Sequence, residues 1–290
     1  MFDLFAEQLI NGIVTGSVYA IVAVGMTMIF GVLRAINFAH GEYYMVGAFG
    51  AWVPIFYLHL PFPIALIIGV FTTAMIAALI GKLVMSRLVT ATAEASVVAT
   101  LGVSLVLQNV VILIFGGGYK VFRGGYIQPV SLFGFTLSEQ RLLILVVCLL
   151  VFAGLELMVL YTRVGKAMRA VSQNVEACRI VGVDVQQVVV WTFVLGAALA
   201  ALAGVLTAPV NVSVYGGMGG LITFKTLPII VMGGLGNVRG TLVAAMLLGI
   251  AESLIGGYVG LQFRDAVGFA TLILMLMWRP HGLFSTQARF

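Results

Sequence analysis

Charge is scarce in this sequence. Asp, Glu, Lys and Arg together make up 9% of 290 residues, and 62% are hydrophobic. A soluble globular domain carries roughly 25% charged and about 45–50% apolar residues. Composition alone therefore excludes a water-soluble enzyme or binding module and indicates an integral membrane protein. Cysteine is nearly absent: Cys148 and Cys178 stand far apart, form no C-x-x-C and leave no disulfide framework. The phosphate-binding pattern G-x-x-x-x-G-K-[ST] occurs nowhere; Lys82 and Lys166 each follow a glycine, but neither precedes Ser or Thr. No His, Cys, Asp and Glu cluster has metal-ligand spacing, and no nucleophile–base pair can be assembled. The net charge of +5 comes without basic runs interleaved with aromatics, so nucleic acid is not a partner. The short alternating segments of a membrane β-barrel are missing as well.

What the sequence does have is continuous apolar runs of about 20 residues, the helical signature. They fall near 9–33, 41–59, 61–85, 95–116, 142–162, 188–208 and 266–278, with a broken region between the last two. The predicted fold is an all-α integral membrane protein in a single domain over 1–290. It has about eight transmembrane helices, two of them interrupted or re-entrant, and a charged helix outside the membrane. The 35 glycines fit such a bundle, because glycine lets helix backbones approach closely. The start, MFDLFAEQ, lacks the basic region of a signal peptide, so the first helix is expected to stay. Cations beside helix ends set orientation. Lys82, Arg87, Arg279, Arg289 and the four cations of 163–187 are expected in the cytoplasm. The 117–141 loop, with Lys120, Arg123 and Arg141, then lies on the other side.

Two stretches share a pattern: IFGVLRAINFAHGEYYMVGAF (29–49) and IVMGGLGNVRGTLVAAMLLG (230–249). Each has an apolar approach, an Asn, a basic or titratable residue, a Gly and an apolar helix. His40-Gly41 thereby falls where Arg239-Gly240 falls, with Asn37 and Asn237 in the breaks before them and Glu42 directly after the first. Matching interruptions in two halves point to a transport site built on an internal repeat. A helix that starts inside the membrane exposes unpaired N–H groups and a positive dipole end, which suits a carboxylate. Ordinary inter-helix loops fit the same residues. Thr100, Ser104 and Gln108 recur every four residues on one helix face. A polar stripe in lipid faces either protein or a route, and both remain open. Glu42, Glu156 and Glu252 also lie in or near spans. Glu156 is read as reaching the membrane surface, Glu252 as paired within the bundle, and His59 and His281 as interfacial.

The segment RVGKAMRAVSQNVEACRIVGVDV (163–185) concentrates charge that the rest of the chain lacks. Val171, Val175, Cys178, Val181 and Val185 share one face of a helix. Such a helix can lie on a membrane, but its Val, Ala and Cys suit a shallow protein groove better than the Trp, Phe or Leu of an anchor.

The run Glu176-Ala177-x-x-x-x-Gly182 resembles the EAA loop of ABC-importer permeases, with Cys178 where Ala is commoner. Together with INFAHGE and GGLGNVRGTLVAAMLLGIAE, it makes nearly the whole chain similar to the permease family of branched-chain amino acid importers. The second break departs from the family's Gly-Ser-x-x-Gly with its Gly236-Asn237-Val238-Arg239-Gly240, and Pro228 in KTLPIIVMGG is unusual. The resemblance implies a multi-pass permease of the bacterial inner membrane that is not itself an enzyme and holds no cofactor. Two cytoplasmic ATPase subunits would bind the ATP. A second related permease, making a heteromer, a soluble substrate-binding protein and membrane lipid complete the partners. It places the coupling helix at 166–182, with Gly165, Arg169, Ala170, Glu176, Ala177 and Gly182 at the ATPase groove. Its substrates would be branched-chain amino acids, or the urea, amides and small organic acids handled by similar members. An ion-coupled secondary transporter or channel with an inverted repeat is the alternative, with Glu42 and Glu252 as its candidate acids.

Overall fold

The computed structural model describes residues 2–89, 91–126, 128–132, 135–279 and 282–284. His281 and Arg289 lie outside them. Seven helical stretches are long and apolar enough to cross a membrane. They are α1 (Phe2–Leu33), α3 (Phe62–Ile80) with its continuation, α5 (Ala93–Phe115), α6 (Glu139–Tyr161), α9 (Val185–Asn211), α11 (Val238–Tyr258) and α12 (Arg264–Trp278) with the tight turn Leu261–Phe263 that leads into it. The continuation of α3 is one wide turn, Gly81–Met85, and a short α4 (Ser86–Leu88). Two further helices, α2 (His40–Leu58) and α10 (Met218–Gly233), are not among those long and apolar enough to cross. The charged segment forms α7 (Arg163–Gln173) and α8 (Val175–Ile180). We call its side of the bundle the lower face.

The core is built around α2. From His40 to Pro54 nearly every residue is buried, and α3, α9 and α10 enclose the helix, with α5 and α1 completing its surroundings. That explains a composition poor for a lipid-facing helix, with His40, Glu42, Tyr43, Tyr44 and Trp52: its surroundings are protein. Close approach is made at small residues. A side chain on Gly25 would meet the Gly196 backbone at 2.7 Å, and one on Gly47 would meet Ala201. A side chain on Gly204 would run into the Tyr44 carbonyl. In α3, α5 and α6, by contrast, long apolar side chains such as Ile67, Phe71, Leu105, Leu113 and Leu149 point outward, as lipid requires.

The 117–141 segment is not a plain loop. β1 (Lys120–Val121) pairs antiparallel with β4 (Ser213–Val214), and β2 (Pro129–Leu132) pairs with β3 (Phe135–Ser138). The Phe122 amide donates to the Val212 carbonyl at 2.9 Å, and Trp52 Nε1 donates to the Val121 carbonyl at 3.0 Å. These bonds close the upper face. Arg141, at the start of α6, donates to Asn11 in α1 at 2.6 Å. The N-terminal end of α1 therefore also lies at the upper face, which charge counting left open.

The expected single helix over 163–185 is two helices. Asn174 (φ −152°, ψ 106°) leaves the helical region and caps α8, its Oδ1 accepting from the Ala177 amide at 2.9 Å. Val171, Cys178 and Val185 are buried and Val175 is half-buried, as the shared face predicted. Val181 is instead 76% exposed, because α8 has ended and Gly182 (φ +82°) turns the chain away.

Replacing Gly204 with Val should prevent folding, since the new atoms would fall on the Tyr44 backbone. Overpacking of a core typically costs about 1–3 kcal/mol, and here the opposing atoms are backbone and cannot repack. The expected result is loss of the monodisperse peak in detergent chromatography, whereas Gly154→Ala on the exposed side of α6 should leave it unchanged.

Candidate functional site

The first break begins at the lower face and ends inside the bundle. The α2 start is level with Val22: His40 Nε2 donates to the Val22 carbonyl at 3.0 Å. α1 runs eleven residues further to Leu33, about 16 Å along its axis. The chain then turns back through 34–39 and climbs into the protein before α2 starts.

A second break does the same from the upper face, at 212–217. α9 passes the first turn of α2 where Gly204 meets Tyr44, then continues seven residues, about 10 Å, to Asn211. The chain descends through Val212 (φ 56°) and Tyr215, whose carbonyl accepts from the Met218 amide at 3.2 Å. α10 then starts beside the start of α2. The Gly41 amide donates to Thr223 Oγ1 at 3.0 Å, and Gly219 lies directly against the Glu42 carboxylate. From this junction α2 runs to the upper face and α10 to the lower. The two half-helices are thus related by inversion, each preceded by a full helix, α1 or α9, and a re-entering break.

This corrects the pairing expected from sequence. The partner of 34–39 is 212–217, not 234–237. Gly236 lies near Gly31 and Thr241 bonds Thr27 at 2.8 Å, both near the lower end of α1. Asn237 is a helix cap: Oδ1 accepts from the Gly240 amide at 3.1 Å, and Nδ2 donates to the Phe284 carbonyl at 2.7 Å. Gly240 packs on the Gly233 carbonyl. Arg239 is exposed and pairs with Glu156 at the lower surface. The structure therefore does not bring Asn237, Arg239 and Gly240 together with Asn37, His40, Gly41 and Glu42. The two motifs look alike because an Asn closes the turn before each helix: Asn237 caps α11 itself, whereas Asn37 Oδ1 accepts from the Ala39 amide ahead of α2.

The α5 stripe does face the junction. Thr100 Oγ1 accepts from the Phe38 amide at 3.3 Å, and Ser104 Oγ donates to Glu42 Oε1 at 3.0 Å. Gln108 lies next to Gly217, the residue before α10. Glu42 Oε2 is buried against the α10 start without a hydrogen-bond partner among the described residues, as are Asn37 Nδ2 and His40 Nδ1. Two helix N-termini thus converge on one carboxylate, each favouring negative charge there. The anion expected at such a place is supplied by the chain itself.

Above the junction a cavity of about 860 Å³ opens between α1, α9, α10, α11 and α12. Tyr19, Tyr44, Met218, Ile222 and Lys225 are among the residues that line it. Tyr44 Oη and Thr207 Oγ1 bond at 2.5 Å. The Lys225 ammonium donates to Tyr19 Oη and Glu252 Oε2, both at 2.9 Å, and lies 2.8 Å from Asp265 Oδ1. All three of its protons have acceptors. Glu252 is paired within the bundle, as expected. Lys225 went unnoticed in the sequence, although it is the sole cation between Arg179 and Arg239, and a lone charge in an apolar stretch marks function or pairing.

Residues 8–276 match the family described as "Branched-chain amino acid transport system / permease component". The chain belongs to this permease family. It is 32% identical to the high-affinity branched-chain amino acid transport system permease protein BraD of Pseudomonas aeruginosa, over 96% of this chain and 95% of that protein. It is 30% identical to LivH of Escherichia coli K12, over 97% and 96%. A shorter similarity, 30% over 41% of this chain and 28% of the relative, links it to LivM of the same organism. Among solved structures, PsaBC from Streptococcus pneumoniae in complex with Fab matches with a TM-score of 0.54 at 13% identity, covering 98% of both chains. That likeness is one of fold. The chain is therefore a multi-pass membrane permease component and not a catalytic subunit.

Lys225→Met in the permease strands Glu252, which is fully buried. Removing one partner of a buried pair costs about 3–5 kcal/mol. The thermal midpoint in detergent should fall clearly, and adding Glu252→Gln should recover more than half of the loss. A single variant that melts like the parent would show that the pair ties nothing together.

Proposed function

We propose that this permease is one subunit of an ATP-driven importer in the bacterial inner membrane, taking up branched-chain or closely related amino acids. The reading extends the named activities of BraD and LivH to this chain. A second permease is proposed as its partner, in view of the similarity to LivM. Two cytoplasmic ATPases would hydrolyse the ATP, and a soluble binding protein would deliver the substrate to the upper face. Cation placement supports this orientation. Arg34, Lys82, Arg87, Arg239 and Arg279 join the four cations of 163–187 at the lower face. Lys120, Arg123, Arg141 and Arg264 lie above.

The observation that carries the reading is the surface of α8. Glu176, Ala177 and Arg179 are exposed there, beside Ile180 at 85% and Val181 at 76%. Bare apolar side chains next to charges, at the end that faces water, make a small docking ridge and not a lipid anchor. Its ends are fixed by backbone chemistry. Asn174 caps the start, and at the end the Val183 amide reaches back to the Cys178 carbonyl at 2.9 Å across Gly182. Gly165 seats α7 against the Met158 and Val159 backbone, so the ridge is carried on the end of α6. Arg169 donates to the Leu160 carbonyl at 3.4 Å and Ala170 is half-buried. These residues support the ridge, while Glu176 and Ala177 present it.

The test is uptake of radiolabelled leucine, with ATP hydrolysis, by the complex purified from native membrane and placed in proteoliposomes. Glu176→Arg should lower uptake at least about tenfold, since a charge-assisted contact is worth roughly 1.5–3 kcal/mol. Gly182→Val should act similarly, because φ near +80° is strained for a β-branched residue, whereas Gly182→Asn should be tolerated. Full uptake by both Glu176→Arg and Gly182→Val would remove the docking role.

A further inference from the structure

We infer that Arg34 is the positioning residue that carries movement of the docking segment into the half-helix junction. This rests on the proposed docking role of 163–182.

Arg34 begins the first break. Its Nη2 donates to the carbonyls of Ser172 at 3.1 Å and Gln173 at 3.2 Å. These are the last two residues of α7, whose terminal carbonyls have no partner inside the helix. A cation there also meets the negative end of the helix dipole. The next residue, Asn174, caps α8 and so fixes the ridge that bears Glu176. Among the described residues, these two bonds are the polar ties between the break and the docking segment.

At its other end the break is anchored to the junction. The Phe38 amide donates to Thr100, the His40 amide to the Asn37 carbonyl at 3.2 Å, and the His40 ring to Val22. Seven Cα steps from Leu33 to His40 can span at most about 24 Å, and they climb about 16 Å. The turn closed by Asn37, whose Oδ1 also accepts from the Ala39 amide, consumes part of the remainder. A connector with so little slack passes displacement on, where a long loop would absorb it.

The backbone at Arg34 separates the role of its side chain from local geometry. Its φ is 53°, a left-handed conformation that suits glycine or asparagine better than arginine. Arg34→Gly and Arg34→Asn therefore remove the guanidinium while easing the backbone. Arg34→Lys keeps a cation at the end of α7.

The experiment measures leucine taken up per ATP hydrolysed, in proteoliposomes holding the whole complex. Arg34→Gly and Arg34→Asn should lower this ratio at least about fivefold, the lower edge of typical coupling between sites. Hydrolysis itself should persist, and Arg34→Lys should restore most of the ratio. An unchanged ratio in an assembled Arg34→Gly complex overturns the inference, as does an Arg34→Lys ratio as low as that of Arg34→Gly. If the glycine variant does not assemble, hydrogen exchange on the unmodified complex decides. Peptides covering 34–41 should change protection together with 163–182 when ATP and vanadate are added; change in 163–182 alone overturns it. A parent complex that takes up leucine without ATP would instead overturn the importer reading itself.

Discussion

A helix that begins inside a membrane has amide groups with nothing to bond, and lipid offers no acceptor. This permease has two such starts, and they are packed against each other. Thr223 of α10 accepts from the Gly41 amide at the start of α2. Glu42 of α2 lays its carboxylate against the start of α10. An unpaired polar group in an apolar medium costs several kcal/mol, so the α2 start depends on its contact with α10. Much else follows from holding the two together. The surrounding helices must come close enough to exclude lipid, which requires small residues such as Gly25, Gly196, Gly204 and Ala201 at the crossings. The glycine content is thus a consequence of the junction as well as of general membrane packing.

The same constraint explains which parts were legible in the sequence. Helix positions were readable because lipid demands long apolar runs. The first break was readable because Asn, His and Glu cannot stand in such a run without protein around them. The polar face of α5 was readable from its four-residue spacing, and it meets the junction at Thr100 and Ser104. The second break was legible only as part of the broken region between the last apolar runs, not as the partner of the first. Its residues, VSVYGG, are mostly apolar or small, and the bond that closes it uses a backbone carbonyl, which leaves no trace in side-chain chemistry. GGLGNVRG resembles the first break instead, because an Asn that closes a turn before a helix looks the same at every depth. Depth is set by which helices overshoot, and that is a tertiary property. The docking segment shows a related limit. Its helical face was correct until Gly182 reversed the backbone and left Val181 in the open.

The inverted arrangement has a mechanical meaning. The break 34–39 opens toward the lower face, where Arg34 grips α7. The break 212–217 opens toward the upper face, where β4 and the wall of the cavity begin. The two connectors meet the junction from opposite sides, so a shift on one face bears on the same few contacts as a shift on the other. A tie on the cavity side, Lys225 with Tyr19, Glu252 and Asp265, links α10 to α1, α11 and α12. α10 is therefore held at its start by α2 and part-way along by this charged group. It is a half-helix braced at both points between the junction and the lower face.

Charge at the junction bears on what can pass. Helix N-termini pointing into a membrane attract anions, and a transporter could use them to hold a substrate carboxylate. Here Glu42 already occupies that position and Ser104 satisfies one of its oxygens. A substrate carboxylate arriving at the same point would meet an occupied position, not a free amide nest. Its contact there would be weak and brief. Passage through a membrane is helped by such contacts, since a solute held tightly in mid-route leaves slowly. In an importer fed by a soluble binding protein, strong recognition belongs outside the membrane. On that argument the chain's own carboxyl group packs the two half-helices together and, on a route proposed to pass this contact, would keep its middle from becoming a trap.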